Sequence, residues 1–308
     1  MKPKRKLHLA LRGGGARGLA HIGVLKAIEE AKLPIGRLSG TSGGAVIAAL
    51  YAQTGRAQAV YEKMHAFIHS ERFRQFGLDL FKEEQNGGRS YWEKIENLFN
   101  YLKSRLTFTK VLIAESIFPA QRFIDLLHEL FEDANIEDLR LPLRIAAVNV
   151  DTGEDVLLER GNLICAVAAS SAIPGLISPV ECQGMRLIDG AVLNAVPVIG
   201  TDKHQEVVAA VDVSRHIRAE YPQRLALDYI FRAEEITMSR LNELHLERAE
   251  IVIRPEEVRH SHWADFSRIE EFIESGEQAT RAKLPELLQA MNRREPLLRR
   301  WLLKQALL

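Results

Sequence analysis

Residues 7–25 read LHLALRGGGARGLAHIGVL, and the reading of this stretch decides the fold. Residues 6–11 alternate well enough for a strand. A glycine cluster at Gly13, Gly14, Gly15 and Gly18 then breaks the chain, and Leu19, Ile22, Leu25 and Ile28 recur on one helical face. The same order returns at once: GRLSG at 36–40 is a short strand, GTSGG at 40–44 a turn, and AVIAALYAQ at 45–53 a buried helix that stops near Gly55. Strand, glycine turn and helix, twice in the first 55 residues, predict parallel strands joined by helical crossovers.

The rest of the chain extends that pattern. Strand-like runs lie at 143–150, 155–159, 185–188, 207–213 and 251–254, separated by helical segments. The implied fold class is α/β, a three-layer α/β/α arrangement around a central, mostly parallel sheet covered on both faces. From 57 to 131 the pattern is helical and less regular, with Phe73, Phe76, Phe81, Tyr91, Trp92, Phe99, Tyr101 and Phe108 set among charges. The loop at 85–88 is expected to be flexible.

Composition excludes several function classes. The 308 residues carry 41 basic and 41 acidic side chains, so no global field recruits nucleic acid, and no such partner is expected. No run approaches the roughly 18 apolar residues of a membrane span, and the basic start lacks a signal-peptide core. A cytoplasmic protein, at most peripheral to a membrane, is expected. Cys165 and Cys182 lack metal-ligand spacing and are expected as small buried residues rather than a disulfide.

Gly13, Gly15 and Gly18 match the G-x-G-x-x-G turn of dinucleotide sites, which also need an acid roughly 20 residues on to hold the ribose. That region, LPIGRLSGTSGG at 33–44, offers Arg37 and no acid. A phosphate-binding P-loop would require Lys and a hydroxyl after Gly18, where Leu19 and Ala20 stand. A nucleotide-dependent oxidoreductase is therefore disfavoured and no cofactor is expected. What survives is a set of unobstructed amides at a helix N-terminus, suited to some anion or to a tight crossover alone.

The second turn supplies a nucleophile. Gly40-Thr41-Ser42-Gly43-Gly44 fits G-x-S-x-G between a strand and a helix, the context of a nucleophile elbow, although a simple helix cap uses the same residues. Of the late histidines, His204, His216, His245, His260 and His262, only the two in RHSHW at 259–263 could lie in a loop directly after a strand. His260 and His262 lack a third ligand motif and read as a surface loop. Asp189 ends the apolar run MRLID before Gly190 and Ala191, so it offers a carboxylate at a strand terminus that could accept the serine proton directly. Taken alone it reads as an Asp-Gly turn.

Together these residues resemble the patatin-like phospholipase family. Gly13 to Gly18 match its G-G-G-x-[RK]-G block, Gly40 to Gly44 its G-x-S-x-G block, and Asp189-Gly190-Ala191 its D-G-[GA] block. A fourth block, A-S-x-x-x-P, appears as Ala169-Ser170-Ser171-Ala172-Ile173-Pro174, and DFSRIEEFIESGEQA at 265–279 resembles the family's domain-closing helix. The resemblance implies a serine lipid acyl hydrolase, of phospholipase A or lysophospholipase type. Ser42 would be the nucleophile and Asp189 the base, with no metal and no catalytic histidine. Gly13, Gly14 and Gly15 would donate amides to the oxyanion, supported by Gly18, Gly40, Gly43, Gly44 and Arg17, whose expected part is to hold the glycine loop by hydrogen bonding rather than to meet a phosphate headgroup. It implies a catalytic domain over 6–280, with a lid-like helical insertion around 70–112 and a helical extension over 281–308.

A lipid ester substrate requires access to an interface. The aromatic and basic region 70–112 and the tail RREPLLRRWLLKQALL at 293–308 are the candidates. The tail's leucines would otherwise pack on the body or on a second copy in a homodimer. A competing expectation is a membrane-associated regulatory protein of the same fold with little turnover.

Overall fold

The computed structural model describes residues 5–77, 116–198, 205–217 and 226–293. Among them an eight-stranded sheet runs β5-β6-β3-β2-β1-β7-β8, with β4 paired to β3 outside this path. The strands are β1 (Lys6–Leu11), β2 (Ile35–Thr41), β3 (Leu143–Asn149), β4 (Asp155–Leu158), β5 (Val180–Cys182), β6 (Met185–Asp189), β7 (Glu206–Val211) and β8 (Ile251–Ile253). The helices are α1 (Ala20–Glu30), α2 (Gly43–Thr54), α3 (Ala57–Ile68), α4 (Glu71–Phe76), α5 (Ala120–Leu127), α6 (Leu163–Ser170), α7 (Ala191–Asn194), α8 (Ala226–Leu246) and α9 (Ile269–Asn292).

β1, β2, β3, β7 and β8 pair in parallel, whereas β4, β5 and β6 pair antiparallel at one end. The sheet is thus mixed. Leu7, Leu9 and Leu11 of β1 join Val207, Ala209 and Val211 of β7 in the main core, while Ala10, Val208 and Ala210 face a second core with Val196, Val198 and Leu246. Burial on both faces is why β7 reads as an apolar run over 207–211, whereas His8 leaves β1 its alternation. The three-residue β5 is too short to show a period in the sequence.

α9 packs along α1, with the Gly23 Cα in contact with the Ile273 carbonyl and the Gly276 Cα with the Ala20 carbonyl. α9 continues unbroken past residue 281, so the expected domain boundary falls inside a helix. Residues 294–308, most of the expected extension, lie outside the described residues, as do the flexible-loop expectation at 85–88 and most of the expected lid.

Two expectations are corrected. Cys165 of α6 and Cys182 of β5 are joined as a disulfide, with their Cα atoms 6.0 Å apart. Packing of α6 on β5 brings together residues that spacing in the chain leaves unrelated. Phe73 and Phe76, expected among the interfacial aromatics, turn inward: they are 4% and 2% exposed and stack on Phe67, Phe266, Phe118 and Phe123.

Candidate active site

Adjacent parallel strands deliver both glycine turns to one place. β1 and β2 pair with Leu11 opposite Gly40, so the turns that follow emerge side by side. Contact between them is direct. A Cβ on Gly44 would stand 2.2 Å from the Leu11 carbonyl oxygen, and one on Gly43 2.7 Å from the Gly15 carbonyl oxygen. Small residues are therefore needed on the Ser42 side of the junction as well as in the first turn.

Ser42 sits between β2 and α2 with φ 52° and ψ −126°, a conformation disfavoured for a residue with a side chain. Its amide donates to Ser170 Oγ at 2.9 Å, and the Ser170 hydroxyl donates to the Ala146 carbonyl at 2.6 Å. One buried hydroxyl at the end of α6 thus ties the strained elbow to β3. Ser170 belongs to one of the family blocks, yet its spacing carries no indication of this bridging contact.

Asp189 reaches the elbow through strand register. Ala146 pairs with Thr41 of β2 on one side and Leu157 of β4 on the other; Ala147 pairs with Asp189 and Val156. Since β4 takes one edge of β3 at both positions, β6 enters on the edge that β2 has just left. Asp189 fills the register position beyond Thr41, where the nearby Ser42 hydroxyl favours its ionised form. Gly190 makes the turn possible, because a Cβ there would stand 2.3 Å from the Ala146 carbonyl oxygen. Asp189 is 4% exposed, and burial pushes its carboxyl up to about 6 against the Ala191 amide, the Ser42 hydroxyl and nearby Arg12, all of which favour the ionised form.

The first turn differs from expectation in two respects. The Gly13 amide is committed to the Ala195 carbonyl at 3.0 Å, so it is not a free donor. Among the described residues, the amides of Gly14, Gly15 and Gly43 have no acceptor, and these surround the elbow. Arg17, expected to hold the loop, has its Nε buried without a hydrogen-bond partner. Burial, with Arg12 and Arg215 nearby, lowers its pKa to about 9.

Arg12 performs the holding role instead. Its Nη1 donates to the Gly13 carbonyl at 2.5 Å and its Nε to Asn242 Oδ1 at 2.8 Å, with Asp212 Oδ1 at 3.5 Å. Asp212 is fully buried; burial alone would raise its pKa, but Arg12, Ser214 and Arg254 outweigh that and lower it. Neutral His21 donates from Nε2 to the Arg12 carbonyl at 2.9 Å, and burial lowers its pKa to about 4. These supports come from the residue after β7, from α1 and from α8, and no motif in the sequence marks them.

Ser42 opens onto an apolar cleft. Its walls are aliphatic and aromatic: Val46 and Ile47 of α2, Met64 and Phe67 of α3, Phe123, Leu126 and Leu127 of α5, and Trp263 and Phe266 beyond β8. Such a cleft matches a hydrocarbon chain with its reactive end at Ser42.

The profile of the family described as patatin-like phospholipase matches residues 9–202. An uncharacterised NTE family protein of Mycobacterium tuberculosis is 31% identical over 193 residues, covering 63% of this chain and 44% of its own length. Human patatin-like phospholipase domain-containing protein 6 is 32% identical over 208 residues, covering 67% of this chain and 13% of its own. The lysophospholipase nte1 of Aspergillus fumigatus is 30% identical over 215 residues, with corresponding shares of 68% and 12%. The chain thus spans less than half the length of these curated relatives. Among solved structures, human GIVD cytosolic phospholipase A2 in complex with methyl gamma-linolenyl fluorophosphonate aligns at 12% identity and TM-score 0.43, covering 94% of this chain and 59% of that one. VipD from Legionella pneumophila aligns at 17% identity and TM-score 0.36, with shares of 89% and 67%.

Proposed function

The chain belongs to the patatin-like phospholipase family, and from that premise we propose that it is a serine lipid acyl hydrolase working through Ser42 and Asp189. The observation that carries this reading is the Ser42 hydroxyl beside a buried carboxylate at the head of an apolar cleft. Ser42 Oγ attacks the ester carbonyl carbon while its proton passes to Asp189. The carbonyl oxygen becomes an oxyanion beside the Gly14, Gly15 and Gly43 amides, where loss of one donor costs about 3–4 kcal/mol of transition-state stabilisation.

Collapse of the tetrahedral intermediate breaks the ester C–O bond, and Asp189 returns its proton to the departing alcohol. Water then attacks the acyl-Ser42 ester and gives a proton to Asp189. Release of the carboxylic acid restores the Ser42 hydroxyl.

The substrate is a phospholipid or lysophospholipid presented from a lipid surface. Arg17, a cation whose Nε has no hydrogen-bond partner beside the oxyanion turn, suits a phosphate headgroup better than a neutral one. A lysophospholipase among the relatives agrees with a single chain in the cleft. Contact with the membrane would fall to segments outside the described residues; among the described ones no helix is long and apolar enough to cross a bilayer.

A fluorophosphonate should label Ser42 in the intact chain, and Ser42→Ala should abolish both labelling and release of fatty acid from lysophosphatidylcholine. Hydrolysis retained by a folded Ser42→Ala chain overturns the assignment. Liposome binding with no turnover of any ester would instead favour a regulatory role for the fold.

A further inference from the structure

Outside the cleft, one surface cluster draws ligand chemistry from two separate segments. His216 lies in the loop after β7, while Glu256 and His260 flank the short turn after β8. His216 Nε2 is 3.1 Å from Glu256 Oε1, and His260 Nε2 is 3.7 Å from that same oxygen. One ligand atom from each residue lies within 4.8 Å of the other two. In a tetrahedral site with metal bonds of about 2.0–2.2 Å, neighbouring donors stand roughly 3.3–3.6 Å apart. Small side-chain rotations therefore close the triangle.

The backbone is already held for this. The His216 amide donates to the Arg259 carbonyl at 3.1 Å, fixing the two segments side by side. All three ligand side chains are exposed, at 45%, 65% and 67%, so an ion can enter directly.

We propose that His216, Glu256 and His260 form a binding site for a divalent ion of the zinc class. Two imidazoles and one carboxylate suit Zn²⁺, Ni²⁺ or Cu²⁺, whereas Ca²⁺ and Mg²⁺ take oxygen ligands. Water completes the coordination. The ion would clamp the loop after β7 to the turn that leads into Trp263, which lines the cleft and whose carbonyl accepts the Ala16 amide at 2.6 Å. The site is independent of the hydrolase reading. His260 and His262 have no third ligand in sequence; the fold instead joins His260 with His216 and Glu256, and buries His262.

Arg259 sets the metal-free state. A guanidinium only donates, so His216 Nδ1 accepts from Arg259 Nη2 at 3.2 Å, and Nε2 carries the ring proton toward Glu256. Metal binding moves that proton from Nε2 to Nδ1, places the ion on the Nε2 lone pair and displaces Arg259. No proton is lost from the ring.

The test is titration of the tag-free full chain with Zn²⁺ by calorimetry, alongside Co²⁺ absorption as a reporter of tetrahedral nitrogen and oxygen ligation. One equivalent should bind, with affinity falling at least about tenfold in His216→Ala, His260→Ala and Glu256→Gln. Arg259→Ala should bind more tightly, because it removes both a competing donor and a positive charge. His69→Ala, altering the separate His65–His69 pair at the C-terminal end of α3, should bind as wild type does. No saturable binding by wild type, binding unchanged by loss of His216 or His260, equal affinity for Ca²⁺, or weaker binding by Arg259→Ala would each overturn the site.

Discussion

Thr41 and Asp189 occupy consecutive register positions along one edge of β3, opposite Ala146 and Ala147. β2 ends where the chain turns out through Ser42, and β6 enters antiparallel in the place it vacates. The proposed nucleophile and base are thus neighbours because two strands share one edge, although they stand far apart in the chain.

The raised Asp189 carboxyl sets a pH limit on turnover. A base must be ionised to accept the Ser42 proton, so kcat/KM for a p-nitrophenyl acyl ester should fall about tenfold per pH unit below an apparent pKa of about 6 and level off above it. A profile flat from pH 5 to 7 would argue against Asp189 as the base.

The same carboxyl has a stability consequence. Below 3.8 both folded and unfolded states hold the proton; between 3.8 and about 6 only the unfolded state ionises, so wild-type stability declines as pH rises. A carboxyl raised from 3.8 to about 6 carries about 3 kcal/mol, present at pH 3.8 and below and fully lost above about pH 6. Asp189→Asn does not titrate there and retains an acceptor for the Ala191 amide. In urea denaturation, its stability relative to wild type should rise by about 2.4 kcal/mol between pH 4 and pH 8 while its activity is lost.

Ser170→Ala leaves the Ser42 amide and the Ala146 carbonyl buried without their shared partner. The cost should be about 1–3 kcal/mol in thermal or urea unfolding. Since the hydroxyl orients the elbow and does not line the cleft, kcat should drop while KM stays near the wild-type value. A rise in KM alone would assign Ser170 to substrate binding.

Gly14 and Gly15 should respond differently to alanine. At Gly14 a Cβ meets Val213 Cγ2 at 2.8 Å, a side-chain clash that Val213→Ala can relieve. At Gly15, φ is 56° and the Cβ would stand 2.3 Å from the Trp263 carbonyl oxygen, which has no such remedy. Gly14→Ala should therefore regain activity in combination with Val213→Ala, whereas Gly15→Ala should not. Equal rescue of both would mean that the loop moves freely.

Leu127 is 2% exposed and lines the cleft from α5. Leu127→Trp should narrow the channel and shift the ratio of kcat/KM values toward short acyl esters, because a chain end that cannot be accommodated loses about 0.8 kcal/mol per methylene left in water. An unchanged chain-length profile would place the acyl chain elsewhere.

Much of the fold is legible locally. Strand, glycine turn and helix recur within 55 residues, and a parallel sheet follows from apolar strands that alternate with helices. The elbow is legible too, since G-x-S-x-G describes a backbone bend made by adjacent residues, and Ser42 has the positive φ of that bend. Arg12, Asp212, Asn242 and Ser170 are not legible in their roles, because each acts through a partner at least 30 residues away or through a neighbour's carbonyl.

By itself the sequence determined which backbone shapes were available: where strands stop, where glycine permits close approach, and which carboxylate ends a strand. Only the tertiary structure decided how those groups are used. Register along β3 brought Asp189 to Ser42, the Ala195 carbonyl took the Gly13 amide out of the expected donor set, and packing of α6 on β5 joined Cys165 to Cys182. The physical reason is range. Turn propensity and periodicity are set by neighbouring residues, whereas a buried donor or acid is defined by whichever distant strand or helix the fold places against it.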